Sequence, residues 1–185
     1  PGLGDAPFIV FISRLHYHKG CDVLGEAFGR VAKRRPDAHL VVIGDDWGAG
    51  ETLKATLKHH GALDRAHLVG PNHGPLKHAA LCEAAAYTLP SRHEGFSISI
   101  TEALAWGCPV AISKPCHFPE VVDAGCGLEV DLDADQLADA LVHLLEDPER
   151  ARQMGARGRE LVLSKYTWPA IARRCVSLYR ELIGA

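Results

Sequence analysis

Short apolar runs alternate along the chain with longer segments in which apolar residues recur every three or four positions. The first run, Phe8 to Ser13, is continuous, rich in β-formers and too short for a helix, so it predicts a strand buried within a parallel sheet. From Cys21 to Arg35, Val23, Leu24, Ala27, Phe28 and Val31 fall at helical spacing, and Pro36 stops the pattern. The alternation then repeats. Further strands are predicted at His39 to Ile43, His67 to Val69, Tyr87 to Leu89, Val110 to Ser113 and Leu128 to Val130. Helices are predicted at Glu51 to His60, Pro75 to Ala86, Ser97 to Trp106, Ala134 to Leu145, Glu149 to Ser164 and Pro169 to Ile183. The last carries Ile171, Cys175, Leu178 and Leu182 on one stripe, which is expected to pack against an apolar surface. Six strands alternating with helices through short Gly, Pro and Asp turns predict an α/β fold, a Rossmann-like parallel sheet with helices on both faces. Such sheets bind ligands beyond the carboxyl ends of their strands, so the loops following the strands are where chemistry is expected.

Composition narrows this picture. The 185 residues carry a net charge of −3, with 47% hydrophobic and 23% charged residues, the balance of a soluble globular protein forming one domain over 1–185. A cleft between two full-sized lobes does not fit this length, and the near-neutral charge argues against a nucleic-acid binder. No apolar run approaches the ~20 residues that cross a bilayer. The opening Pro1-Gly2-Leu3-Gly4-Asp5 has neither the basic nor the apolar region of a secretory leader, so a cytoplasmic location is expected. Cys21, Cys82, Cys108, Cys116, Cys126 and Cys175 form no C-x-x-C pair, which disfavours a disulfide framework or a zinc site and predicts buried reduced thiols. His16, His18, His59 and His60 lack a Cys or carboxylate at ligand spacing, so no metal is expected.

Two strand-end loops carry candidate chemistry. After the first strand, Arg14 sits at the strand tip and Lys19-Gly20 just before a helix, a placement that suits an anion. The plainer alternative is a pair of solvated loop cations. Neither this loop nor Gly44-Asp45-Asp46-Trp47-Gly48 supplies a G-x-G-x-x-G fingerprint, which counts against a nicotinamide enzyme. The loop after the fourth strand places Glu94 before a helix beginning near Ser97 and Glu102 in that helix's second turn. The two carboxylates are expected to touch different parts of one ligand, with the amides around Gly95 and Phe96 available to a diphosphate. A glycosidase acid and base, or a capping Glu94 beside a solvated Glu102, are the alternatives left open by spacing alone.

The segment from Pro90 to Val110, with Glu94-Gly95-Phe96 and Glu102-Ala103-Leu104 at its centre, resembles the E-x7-E motif of retaining family 4 glycosyltransferases. Arg14 with Lys19-Gly20 resembles that family's G-R-L-x-x-x-K-G loop, Pro119-Glu120-Val121-Val122 its P-E-V-V element, and Tyr166-Thr167-Trp168 its late aromatic landmark. The resemblance covers nearly the whole chain. It implies the C-terminal lobe of a GT-B enzyme, which holds a nucleotide-diphospho-sugar donor (UDP-, GDP- or ADP-sugar), while an N-terminal lobe absent from this chain holds the acceptor. The implied reaction transfers a hexose to a saccharide or lipid with retention, using no metal and no cofactor. Carried over residue by residue, Arg14 and Lys19 would bind the diphosphate and stabilise the leaving nucleotide, and Glu94 would face the donor sugar. Gly95 and Phe96 would offer backbone amides, Glu102 would accept from the ribose hydroxyls, and Val69, Gly70 and Pro71 would lie near the base.

This chain departs from the family pattern in three places. Ser13 stands where the family often has Gly, Cys116-His117-Phe118 replaces a Gly-Gly pair near the donor sugar, and the family's active-site His has no counterpart. His117 is thereby a candidate sugar contact. The resemblance further implies a chain that binds donor without transferring sugar at a useful rate, and peripheral membrane association only through the missing lobe. Two other readings remain: a catalytically silent nucleotide-sugar binding module, and another GT-B enzyme such as a sugar-nucleotide epimerase or a phosphorylase.

Overall fold

The computed structural model describes residues 3–184; Pro1, Gly2 and Ala185 lie outside the described residues, and with them part of the opening segment read for a leader. Six strands form one parallel sheet: β1 (Phe8–Ile12), β2 (His39–Ile43), β3 (Ala66–Gly70), β4 (Ala86–Leu89), β5 (Val110–Ser113) and β6 (Gly127–Val130). Their spatial order is β3-β2-β1-β4-β5-β6. The central strands β1, β4 and β5 read as continuous apolar runs because both their faces are covered, and every residue of β4 and β5 is buried.

The helices are α1 (Cys21–Arg34), α2 (Gly50–His59), α3 (Pro75–Glu83), α4 (Ile98–Ala105), α5 (Glu120–Asp123), α6 (Ala134–Glu146), α7 (Pro148–Lys165) and α8 (Trp168–Ile183). The chain winds outward from β1 to β3, with α1 and α2 packed together and joined by α6. It then returns to β4 and winds the other way with α4 backed by α7. The order therefore reverses between β1 and β4, and a crevice opens there beyond the strand tips.

The predicted Rossmann-like sheet is the one observed, with element ends shifted by a residue or two at most sites. One helix is shorter than its periodicity suggests. The run from Pro75 was expected to continue to Ala86, but α3 ends at Glu83 because the Ala85 N–H donates to the Phe8 carbonyl and draws the chain into the sheet. The stripe on α8 is a second correction. Ala170 is buried, but Leu178 is 53% exposed and Leu182 73%, so no apolar surface among the described residues receives it. The thiols are a third: Cys21, Cys108, Cys116 and Cys126 are buried, whereas Cys82 on α3 and Cys175 on α8 are exposed.

Candidate functional site

A cleft of about 400 Å³ lies at the reversal point, and its wall includes Arg14, Lys19, Glu94, Phe96 and Glu102. Thus five residues singled out from sequence, from three separate elements, meet around one space. The first comes from the tip of β1. Arg14 is exposed, and its guanidinium carbon sits 4.6 Å from the ring centre of Trp47, in the loop after β2. Lys19 follows in a single 3-10 turn, Tyr17–Lys19, ended by Gly20 at φ +70°. That left-handed turn is confined to glycine here twice over, because a Cβ would also collide with the Pro90 carbonyl.

The loop after β4 is tied to its neighbours by hydrogen bonds from both sides. Arg92 N–H and the Ser91 hydroxyl both donate to the His18 carbonyl, at 2.7 and 2.9 Å, and Glu94 N–H donates to the Pro115 carbonyl at 3.0 Å. Arg92 also forks onto Asp22 at 2.9 and 2.7 Å while its guanidinium lies 3.8 Å over the Tyr17 ring; this bidentate contact holds the Asp22 carboxyl below its usual range. Glu94, only 9% exposed, is fixed by Lys19 Nζ at 2.5 Å. It is therefore neither a helix cap nor solvated. The cap of α4 is Ser97, whose hydroxyl accepts from Ile100 N–H, and a chain of hydroxyls from Ser97 to Ser99 to the buried Tyr87 braces the first turn. Burial raises the Tyr87 hydroxyl well above its ordinary range, so it stays a neutral donor.

Glu102, expected to accept from ribose hydroxyls, receives Lys77 Nζ at 2.7 Å from α3. Lys77 was not anticipated. It is the third residue of a helix with no motif around it, and only folding brings α3 and α4 together. Phe96 is half exposed on the cleft wall and packs its ring against Phe118 and Tyr166, at 5.9 and 5.6 Å between centres. The Tyr166 hydroxyl in turn donates to Glu120 at 2.9 Å, and burial pushes its pKa up to about 12. The P-E-V-V element and the late aromatic landmark thus meet behind Phe96.

Four expected residues lie elsewhere. The Val69 side chain alternates onto the α3 face of the sheet and lines a separate groove there. Gly70, at φ +73°, turns the chain, and its carbonyl already accepts from Gly44 N–H at 3.0 Å, so Pro71, Asn72 and His73 meet the cleft instead. Gly95 adjoins the cleft without lining it. His117 is exposed, takes φ +50° after a 3-10 turn, and meets His93 edge-on at 5.7 Å between ring centres, outside the cleft. Its left-handed backbone explains why glycine suits that place in the resembling family, while its side chain is not on the cleft wall.

Among the described residues no cluster of three or more His, Cys, Asp or Glu side chains is arranged to hold a metal ion, and no helix is long and apolar enough to cross a membrane. The charges on the cleft wall are the cations of Arg14, Lys19 and Lys77 and the carboxylates of Asp45, Glu94 and Glu102. Such an arrangement can take an anion at the β1 tip and the α4 N-terminus, and hydroxyl groups at the two carboxylates.

A family profile described as "Glycosyl transferases group 1" matches residues 2–161. The GDP-mannose-dependent alpha-(1-6)-phosphatidylinositol monomannoside mannosyltransferase of Mycobacterium tuberculosis is 34% identical, over 96% of this chain and 48% of its own length. The sucrose-phosphate synthase of Thermosynechococcus elongatus superposes with a TM-score of 0.83 at 29% identity, over 97% of this chain and 46% of its own. The C-terminal domain of a glycosyl transferase group 1 family protein from Francisella tularensis superposes with a TM-score of 0.78 at 26% identity, over 88% of this chain and 87% of its own. The chain spans about half the length of the curated relatives it matches.

Proposed function

Because the chain belongs to the glycosyl transferases group 1 family and has the fold of the C-terminal lobe of GT-B glycosyltransferases, we propose that it is the donor-binding lobe of a retaining glycosyltransferase. In this reading it holds a nucleotide-diphospho-hexose, and a second lobe presents the saccharide or lipid acceptor. The observation that carries it is the convergence of Arg14, Lys19, Glu94 and Glu102 on one cleft at the reversal point of the sheet. Arg14 forks onto diphosphate oxygens while Lys19 acts as a point charge, and the first amides of α4 add to the same field. As the sugar–phosphate bond lengthens, negative charge grows on the departing diphosphate, and cations fixed beforehand stabilise that state more than the resting donor.

Glu94 shares Lys19 with the diphosphate and accepts from the sugar hydroxyls. Glu102, held by Lys77, accepts from the ribose, and the base lies against Pro71, Asn72 and His73. The mannosyltransferase relative is GDP-mannose-dependent by its name, which makes GDP the first nucleotide to try. Titration calorimetry of GDP, UDP and ADP and their hexose conjugates, in EDTA, tests the proposal. Selective binding of one nucleotide is expected, weakened about tenfold or more by Arg14→Ala and by Glu102→Ala, since hydrogen bonds to charged groups contribute about 1.5–3 kcal/mol. No binding by a sample that unfolds cooperatively, or binding indifferent to both substitutions, would overturn it.

A further inference from the structure

On the donor reading given above, we propose that Trp47 is a positioning residue for Arg14, holding the guanidinium by its face so that its N–H edge is presented to the donor diphosphate. The Arg14 guanidinium carbon lies 4.6 Å from the Trp47 ring centre. Arg14 lines the cleft and Trp47 does not, so the indole backs the arginine from outside the space a ligand would fill. Stacking engages the face of a guanidinium and phosphate capture engages its edge, so the two contacts coexist on one side chain. The same chain shows the combination complete a few residues away: Arg92 lies 3.8 Å over the Tyr17 ring while its edge forks onto Asp22 at 2.9 and 2.7 Å. Arg14 likewise lies over an aromatic ring, and among the described residues it makes no ion pair with a carboxylate.

The loop bearing Trp47 is held firmly enough to position something. Trp47 N–H donates to the Leu15 carbonyl at 3.0 Å and Leu15 N–H to the Asp45 carbonyl at 2.7 Å, while Ser13 N–H donates to the Ile43 carbonyl at 3.1 Å, which joins the tips of β1 and β2 on either side of Arg14. The Asp46 carboxylate accepts from Gly48 and Gly50 N–H, both at 2.9 Å, and these bonds hold its carboxyl below the usual range. The indole therefore projects from a braced turn. An exposed arginine loses rotamer freedom when it binds an anion, and a side chain ordered beforehand by stacking loses less. The aromatic in the loop Gly44-Asp45-Asp46-Trp47-Gly48 thus takes part in anion binding although the loop lacks a dinucleotide fingerprint.

A double-mutant cycle tests this, using GDP, or UDP or ADP if that nucleotide proves to be the one bound. Trp47→Ala is expected to weaken nucleotide binding about five- to tenfold and Trp47→Phe by no more than about twofold, because a phenyl face still stacks the guanidinium. In the Arg14→Ala background Trp47→Ala should add nothing, and the unfolding midpoint should stay at the parent value in each Trp47 variant. A loss that persists in the Arg14→Ala background means that the indole touches the nucleotide itself, and it overturns the proposal. So does an Arg14→Ala loss unaccompanied by a Trp47→Ala loss. If Arg14→Ala binds as tightly as the parent, the diphosphate assignment of Arg14 falls, and the role given to Trp47 falls with it.

Discussion

Lys19 and Gly20 divide one turn between them: the lysine reaches Glu94, and the glycine lets the chain pass beneath the Pro90 carbonyl at φ +70°. Adding a methyl group there meets backbone on the far side and an unfavourable φ on the near side, so neither can relax without moving the cleft. Gly20→Ala is expected to lower unfolding stability by about 3 kcal/mol, read from the urea midpoint. Arg14, Lys19, Glu94 and Glu102 were legible in the sequence because each sits in a contiguous motif beside a turn or a helix start. Lys77 was not, since its bond to Glu102 spans 25 residues and depends on α3 lying beside α4. Sequence proximity to a strand end says nothing about which way a side chain leaves it, and that of Val69 leaves on the face away from the cleft. His117 follows the 3-10 turn after β5, and its ring meets His93 outside the cleft.

At the scale of elements, short continuous apolar runs located every strand, because the sheet is covered on both faces, and a repeat every third to fourth residue located the longer helices. It could not locate α5, which at four residues is too short to show a period. Nor could it say what the stripe on α8 meets, since amphipathicity reports that a face is apolar and not where a partner lies. The contrast is measurable. Leu182→Glu, on the exposed face of α8, is expected to leave unfolding stability within about 0.5 kcal/mol of the parent. Leu104→Ala, on the buried face of α4, is expected to lower it by about 2–5 kcal/mol. Chemical denaturation of the two variants side by side checks both figures.

At the scale of the whole molecule, the buried thiols are reporters distributed over one core. Cys21 opens α1, Cys108 and Cys116 bracket β5, and Cys126 precedes β6; burial pushes the thiols of Cys21 and Cys126 up to about 11 and that of Cys108 higher still. A thiol reagent at pH 8 is expected to modify Cys82 and Cys175 in the native chain and the other four together, in one cooperative step, as denaturant is added. Stepwise appearance of the four would show that the two halves of the sheet open separately.

The position of β3 in that sheet has one more consequence. It is an edge strand, its register against β2 shifts between Val42 and Ile43, and the loop it leads into supplies Pro71, Asn72 and His73 to the cleft. The residues proposed for the diphosphate and the sugar stem instead from β1 and β4 at the sheet's centre, where each turn is wedged against another backbone. In the proposed reading, the base would therefore rest on the margin of the sheet, while the reacting end of the donor would be gripped at its braced centre.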